Sequence, residues 1–163
     1  MTIKVGDRIP DVTLYVMSEE GPQTVKTGEL FKGKKVALFA LPGAFTPTCS
    51  AKHLPGFIER HAELKNKGID LIACLSVNDA FVMGAWGRDQ KVGGKVRMLA
   101  DGAAQWTRAL GLDQNLDARG MGVRSQRYSA LIDDGVVKIL NVEQPGKFEV
   151  SDADTLLAQI KAA

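Results

Sequence analysis

The sequence is poor in cysteine, in aromatic residues and in net charge, and it has no long apolar run. Each shortage removes a class of protein. Two cysteines, Cys49 and Cys74, are too few for the disulfide framework of a small secreted domain. The default is therefore a reducing, cytoplasmic setting, where a cysteine with a task is catalytic or redox-active. Aromatic residues make up 6% of the chain and the formal net charge is +2, with the basic groups scattered, so no nucleic-acid partner is expected. No apolar run approaches the ~20 residues of a membrane span. The start, Met1-Thr2-Ile3-Lys4-Val5-Gly6-Asp7, lacks the apolar core of a signal peptide and reads as mature sequence. The only histidines are His53 and His61. Cys49 and His53 share an i, i+4 spacing, but Cys74 and His61 show no ligand spacing. No metal site is expected, and both histidines are assigned to helix surfaces.

What is present fits one domain, 1–163. Apolar residues at 45% and charged residues at 25% are ordinary for a globular chain. A chain of this size buries roughly 70% of its unfolded surface and needs no staples. Short N-terminal strands are expected over 3–6 and 11–16, with Gly21-Pro22 as a turn and 23–26 returning as a hairpin. After the solvated Lys32-Gly33-Lys34-Lys35, residues 36–41 form a buried central strand. Residues 50–66 carry Leu54, Phe57, Ile58 and Leu64 at helical spacing, with a kink at Pro55. The nearly unbroken apolar run 69–77, which contains Cys74, reads as a parallel strand covered on both faces.

Asn78-Asp79 caps a helix to about Gln90, with Phe81, Val82, Ala85 and Trp86 as its apolar face. A strand over 96–100 and a helix over 103–110 follow, then a loop-rich stretch 111–122 with a short strand near Gly122-Val123. Asp134-Gly135 turns a hairpin between 128–132 and 136–140. Ser151 and Asp154 form a capping box for a last helix running to Ala163. The order of elements gives an α/β, thioredoxin-like fold: a central mixed sheet flanked by helices, with an N-terminal β extension.

The strongest apolar run leads into Leu41-Pro42-Gly43-Ala44-Phe45-Thr46-Pro47-Thr48-Cys49-Ser50. Thr46 suits an N-cap and Pro47 the first helical position, which makes Cys49 the third. A thiol there sits among N–H groups that lack helical partners, at the positive end of the helix dipole, where cysteines become reactive. Thr46-Pro47-Thr48-Cys49 also occupies the place of a Cys-x-x-Cys with Thr in the first slot. One thiol cannot run dithiol exchange alone, but it can attack an electrophile and be oxidised to a sulfenic acid. The competing reading is a small buried hydrophobe with no task, which stays equally open for Cys74. Asp133-Asp134, Asp152 and Asp154 have sufficient explanations as turn and cap residues.

Pro42-x-x-x-Thr46-x-x-Cys49, set in Pro-Gly-Ala-Phe-Thr-Pro-Thr-Cys-Ser, resembles the peroxiredoxin active-site motif. Lys52-His53-Leu54-Pro55-Gly56-Phe57, the stretch from Ala73 to Val82, Asp134-Gly135-Val136-Val137-Lys138 and Leu140-Asn141-Val142-Glu143 resemble its type II, peroxiredoxin-five-like subgroup. The resemblance implies a thiol-dependent peroxidase of antioxidant defence and redox homeostasis. Such an enzyme reduces hydrogen peroxide and alkyl hydroperoxides and uses no metal, haem or flavin cofactor. Cys49 is then the peroxidatic nucleophile, Thr46 offers a hydroxyl to thiolate and peroxide, and Pro42 shields the pocket from water. The family also carries an arginine on a strand shortly before the hairpin, a place Arg127 occupies; the residues alone do not separate it from Arg124 or Arg119.

Cys74 stands where a resolving thiol is proposed for several type II members. It would reach Cys49 only after local unfolding of the helix start, because Cα atoms more than ~7 Å apart cannot be bridged. The distal resolving cysteine of other members has no counterpart in Gly146-Lys147-Phe148-Glu149-Val150. Recycling thus runs through Cys74, or directly by glutathione, glutaredoxin or thioredoxin. The resemblance also implies a homodimer, with Phe45, Thr48 and Trp86 as candidate contacts. Two other functions compete: a peroxide-responsive sensor acting through a binding partner, and a glutaredoxin-like thiol transferase, which Pro42 and Thr46 disfavour.

Overall fold

A computed structural model describes residues 2–160 of the chain. Three parallel strands form its centre: β3 (Lys35–Ala40), β4 (Leu71–Ser76) and β5 (Arg97–Ala100). Each of residues 36–40 and 72–76 is buried, as expected of strands covered on both faces. The N-terminal hairpin β1 (Thr13–Ser18) and β2 (Gly21–Lys26) joins antiparallel on the β5 side. The hairpin β8 (Tyr128–Asp133) and β9 (Val136–Val142) joins antiparallel on the β3 side. The order of the seven strands is β2-β1-β5-β4-β3-β8-β9. Successive side chains alternate between faces, so Ala37, Phe39, Leu41 and Cys74 enter one apolar core while Val36, Leu38, Ala40 and Ala73 enter the other. The expected mixed sheet with an N-terminal β extension is what forms.

The first core is covered by α2 (Leu54–Glu59), α3 (His61–Asn66), α4 (Ala80–Asp89) and α6 (Ala153–Gln159), which supply Leu54, Phe57, Leu64, Met83, Trp86 and Leu156. The short α1 (Thr27–Leu30) and α5 (Gln105–Ala109) lie with the second core, which contains Phe31 and Trp106, packed edge to face. Asp79 caps α4 by accepting from the Val82 N–H at 2.8 Å.

Several expectations need correction. Residues 3–6 are not a strand: Gly6 takes a positive φ in a turn closed by Asp7 on Lys4. The N-terminal hairpin turns at Glu19-Glu20, because Ser18 pairs with Gly21, and Pro22 sits in edge strand β2, where a missing N–H is tolerated. Phe81 faces solvent, 65% exposed, while Ala80, Met83, Trp86 and Gly87 form the buried face of α4. Close approach sets that rotation: a Cβ on Gly84 would lie 2.8 Å from the Met17 side chain. Asp152 rather than Ser151 caps α6, accepting from Thr155 N–H at 3.2 Å, and Ser151 is buried against Glu143. The end of the predicted last helix, 161–163, lies outside the described residues. The stretch 111–122 holds β6 (Asp113–Leu116), which pairs with β7 (Gly122–Ser125) as a separate two-stranded ribbon.

Candidate active site

The chain leaves β3 into a loop fastened from three directions. Leu41 N–H donates to Leu75 O at 3.3 Å, and Asn78 Oδ1 accepts the Ala44 N–H at 3.0 Å. Arg124 donates from Nη1 to Pro42 O at 3.1 Å, closely enough that a Cβ on Gly43 would meet that nitrogen at 2.7 Å. Phe45 turns the loop through φ +64°, an uncommon conformation for a non-glycine residue. Helix begins at residue 47, so Thr46-Pro47 opens it as the sequence indicated. Thr46 contributes differently from a standard cap: its hydroxyl donates to Gly43 O at 2.7 Å. With that proton committed, its oxygen presents lone pairs and is an acceptor.

From Cys49 to His53 the helix widens into a π turn, closed by Leu54 N–H on Cys49 O, before α2 begins. Pro55 has no N–H to continue the α pattern, so the expected kink takes the form of this bulge just ahead of it. A second break falls at Arg60. Ser50 Oγ accepts the Trp86 indole N–H at 3.0 Å and ties the turn to α4.

The π turn presents Cys49 and His53 to one guanidinium. Arg127 lies between β7 and β8, in a break rather than on a strand, with its carbonyl accepting from Glu143 N–H at 2.9 Å. Its Nη2 donates to Cys49 Sγ at 3.1 Å, and its Nη1 lies 2.8 Å from His53 Nδ1. The sequence could not order the three arginines; the fold gives each a place. Arg127 meets the sulfur, Arg124 holds the loop, and Arg119 stands on the wall of the adjoining cavity.

His53 is not on a helix surface. It is fully buried against Phe39, Phe57 and Phe148, with Nε2 3.0 Å from Ser151 O. A carbonyl can only accept, so Nε2 carries the proton and Nδ1 accepts from Arg127. Burial, and then the neighbouring Arg127 charge, push His53 down to about 3 from the usual 6.5, with the Ser151 carbonyl opposing. Ser151 is placed in turn by Glu143, whose carboxylate accepts the N–H groups of Glu149, Val150 and Ser151 and the Ser151 hydroxyl. Burial alone would raise Glu143, but these donors prevail and hold it below 4.5. A continuous polar chain therefore runs from Glu143 through Ser151, His53 and Arg127 to the Cys49 sulfur. Sequence reasoning missed its first three members. The available signal was Cys49 itself: a residue four positions after a buried helical cysteine shares its face.

Both shifts act in one direction on stability. A histidine depressed in the native state stabilises the fold above 6.5 and loses that contribution as pH falls from 6.5 toward 3. The slope is about 1.4 kcal/mol per pH unit across that window. Glu143, also depressed, adds a loss below its ordinary range near 4.5. Denaturant midpoints are expected to fall steeply between pH 6 and 4, and less steeply in His53→Gln. Equal slopes for the two proteins would contradict the assignment of a neutral, buried His53.

Cys74 is buried in β4, opposite Phe39 and Met98, in the same core as Cys49. Burial, and then the nearby Cys49, push its thiol well above 9, with Arg127 acting the other way. His61 stands apart at the start of α3, partly exposed. Trp86 is fully buried and is withdrawn as a contact residue, whereas Phe45 is 52% exposed. Among the described residues, no group of three or more His, Cys, Asp or Glu side chains is placed to hold a metal ion, and no helix is long and apolar enough to cross a membrane.

A central mixed sheet with a lone buried thiol at a helix start, held by an arginine, defines a thioredoxin-fold thiol enzyme. Residues 4–157 match the redoxin family. Chloroplastic peroxiredoxin-2E-2 of Oryza sativa subsp. japonica is 55% identical over 161 residues, spanning 96% of this chain and 72% of the relative. The crystal structure of reduced Prx3 from Vibrio vulnificus in complex with hydrogen peroxide is 54% identical, with a TM-score of 0.94 over 98% of this chain and all of that one. Peroxiredoxin 5 from Alvinella pompejana is 37% identical, with a TM-score of 0.86 over 97% of both chains. The chain belongs to the peroxiredoxins, in their type II, peroxiredoxin-five-like branch, and is a thiol peroxidase.

Proposed function

We propose that the enzyme reduces hydrogen peroxide and alkyl hydroperoxides by direct attack of Cys49. The observation that carries this reading is the 3.1 Å donation from Arg127 Nη2 to the Cys49 sulfur. The Cys49 thiolate attacks one peroxide oxygen, an S–O bond forms as the O–O bond breaks, and the departing RO⁻ takes a proton to give the alcohol, or water from hydrogen peroxide. Sulfur is oxidised to a sulfenic acid and the peroxide is reduced. Arg127 stabilises the charge on sulfur and the charge that moves to the leaving oxygen. The Thr46 oxygen accepts the peroxide O–H and so sets its orientation. Pro42, which has no N–H, narrows the approach and limits water.

Recycling runs by one-cysteine chemistry. Two reducing thiols from glutathione, glutaredoxin or thioredoxin return the sulfenic acid to a thiol, releasing water and a disulfide. Support comes from Cys74: it lies in the interior of a central strand and is held in its protonated, weakly nucleophilic form. A reducing compartment, cytoplasmic in the simplest case, suits a chain whose two cysteines are both free. The exposed Phe45 of the active-site loop suits contact with a second copy in a homodimer.

Intact-mass analysis after one equivalent of hydrogen peroxide tests this reading. Gain of one oxygen is expected, replaced by a glutathione adduct when that thiol is present. Loss of two hydrogens within one chain would overturn direct reduction in favour of a Cys49–Cys74 disulfide. Cys74→Ala is expected to keep turning over with glutathione.

A further inference from the structure

Arg124 does not meet the sulfur, yet it ties the β6–β7 ribbon to the loop that carries Thr46. Its Nε donates to Met121 O at 3.0 Å, which fixes the guanidinium plane against its own strand, and its Nη1 donates to Pro42 O at 3.1 Å. Two donors of one rigid fork thus hold two backbone carbonyls, a task that a point charge on a flexible stem cannot perform. The carbonyl of Pro42 belongs to the peptide unit just before Gly43. The unit just after Gly43 is held by its other end, where Asn78 Oδ1 accepts the Ala44 N–H at 3.0 Å and is itself fixed by the Ser76 hydroxyl at 2.6 Å. Its carbonyl, Gly43 O, accepts the Thr46 hydroxyl at 2.7 Å and the Thr46 N–H at 3.4 Å.

Gly43 is therefore the joint between a peptide held by Arg124 and a peptide that aims the Thr46 oxygen. A glycine left to itself is the loosest joint a backbone can have. The turn that follows, with Phe45 at φ +64°, persists only where its surroundings hold it. Only a glycine leaves room for the guanidinium. A Cβ at residue 43 would lie 2.7 Å from Arg124 Nη1 and 3.3 Å from Thr46 Cγ2, so the flexible Arg124 side chain would swing off Pro42 O.

We propose that Arg124 and Gly43 are a positioning pair for the peroxide: the guanidinium, admitted by the missing Cβ, fixes the Pro42-Gly43 peptide and, through Gly43 O, the Thr46 oxygen that accepts the peroxide O–H. The inference rests on the Cys49 peroxidase reading and assigns the residues that orient its substrate. Arg127 acts on the sulfur and the leaving oxygen; Arg124 acts on neither and sets the angle of approach.

The test compares two reactions of the same sulfur in the reduced enzyme: with hydrogen peroxide, and with methyl methanethiosulfonate, a thiol reagent that has no O–H or N–H for Thr46 to accept. Arg124→Met keeps the apolar stem and ends two bonds short of Nη1. It is expected to slow the peroxide reaction about ten-fold, within the range that a misplacement of under ~1 Å produces, and the thiosulfonate reaction by less than about two-fold. Gly43→Ala should give the same selective loss, because it drives Nη1 off Pro42 O from the other side. Arg124→Met/Gly43→Ala should be no slower than the slower single variant, since residues acting through one contact are not additive. Thermal unfolding checks each fold, and if Arg124→Met does not fold, Gly43→Ala decides by the same pair of rates. A peroxide rate within about two-fold of wild type overturns the proposal, and so does an equal loss in both reactions, which marks a purely structural role. A double variant that multiplies the two single losses overturns the pairing of Arg124 with Gly43. Cys49→Ser is measured in parallel: peroxide consumption there strikes the peroxidase reading itself, whereas a silent Cys49→Ser with an unselective Arg124→Met strikes only the positioning pair.

Discussion

Arg127→Lys is expected to lower kcat/KM for hydrogen peroxide by about two orders of magnitude, the scale of losing one preorganised donor from a site of charge development. The substitution keeps the positive charge, so it isolates geometry. Arg127 uses two nitrogens of one planar group, Nη1 toward His53 at 2.8 Å and Nη2 toward Cys49 at 3.1 Å. An ammonium is a compact point charge on a flexible stem and cannot meet both partners from one fixed plane. The Arg127 guanidinium also lies 5.7 Å from the centre of the Phe148 ring, a contact that restricts it further. The loss should fall on attack rather than on folding, because the side chain is only partly buried and lines a cavity. Stopped-flow measurement of the reaction with peroxide checks the rate, and thermal unfolding checks the fold. A rate within about three-fold of wild type would show that charge alone suffices and that the fixed donor does not matter.

His53 and Glu143 hold the same guanidinium from behind, His53 directly and Glu143 through Ser151 and His53. Neither touches sulfur. His53 receives Arg127 Nη1 and is itself fixed by Ser151, which Glu143 holds. A neutral histidine at this point accepts a hydrogen bond without adding a second positive charge beside the guanidinium, which a protonated ring would do.

The parts of the molecule that pattern and local chemistry determine were legible in the sequence. The strands at 35–40 and 71–76 follow from unbroken apolar runs, and the Asp134-Gly135 hairpin from its turn residues. Thr46-Pro47 marked the helix start that carries Cys49. Arg127 was reached only through resemblance, because nothing local separates it from Arg119 and Arg124. What separates them is the β6–β7 ribbon, whose Asp113-Gln114-Asn115-Leu116 strand has no apolar alternation to reveal it. Phe81 and His53 show the same limit from opposite sides. Helical spacing gives a face but not its rotation; Gly84 against Met17 turns Phe81 outward, while the π turn carries His53 inward. The clamp of Glu143 on residues 149–151 depends on how a loop closes, which no periodicity encodes.

Cys49→Ser is expected to abolish thiol-dependent peroxide turnover. Serine keeps the shape and the Arg127 contact but supplies a hydroxyl, which cannot form a sulfenic acid. No second thiol can substitute, because Cys74 is fully buried and protonated at neutral pH. The fold should survive, since the side-chain volumes are close and Arg127 remains to satisfy the buried hydroxyl. The most direct test of the central claim is to trap the oxidised sulfur. The reduced enzyme is given one equivalent of hydrogen peroxide in the presence of dimedone, a sulfenic-acid trap, and the labelled peptides are read by mass spectrometry. The label is predicted on Cys49 alone, and Cys49→Ser should carry none. A label on Cys74, or continued turnover by Cys49→Ser, would contradict the assignment of Cys49 as the nucleophile.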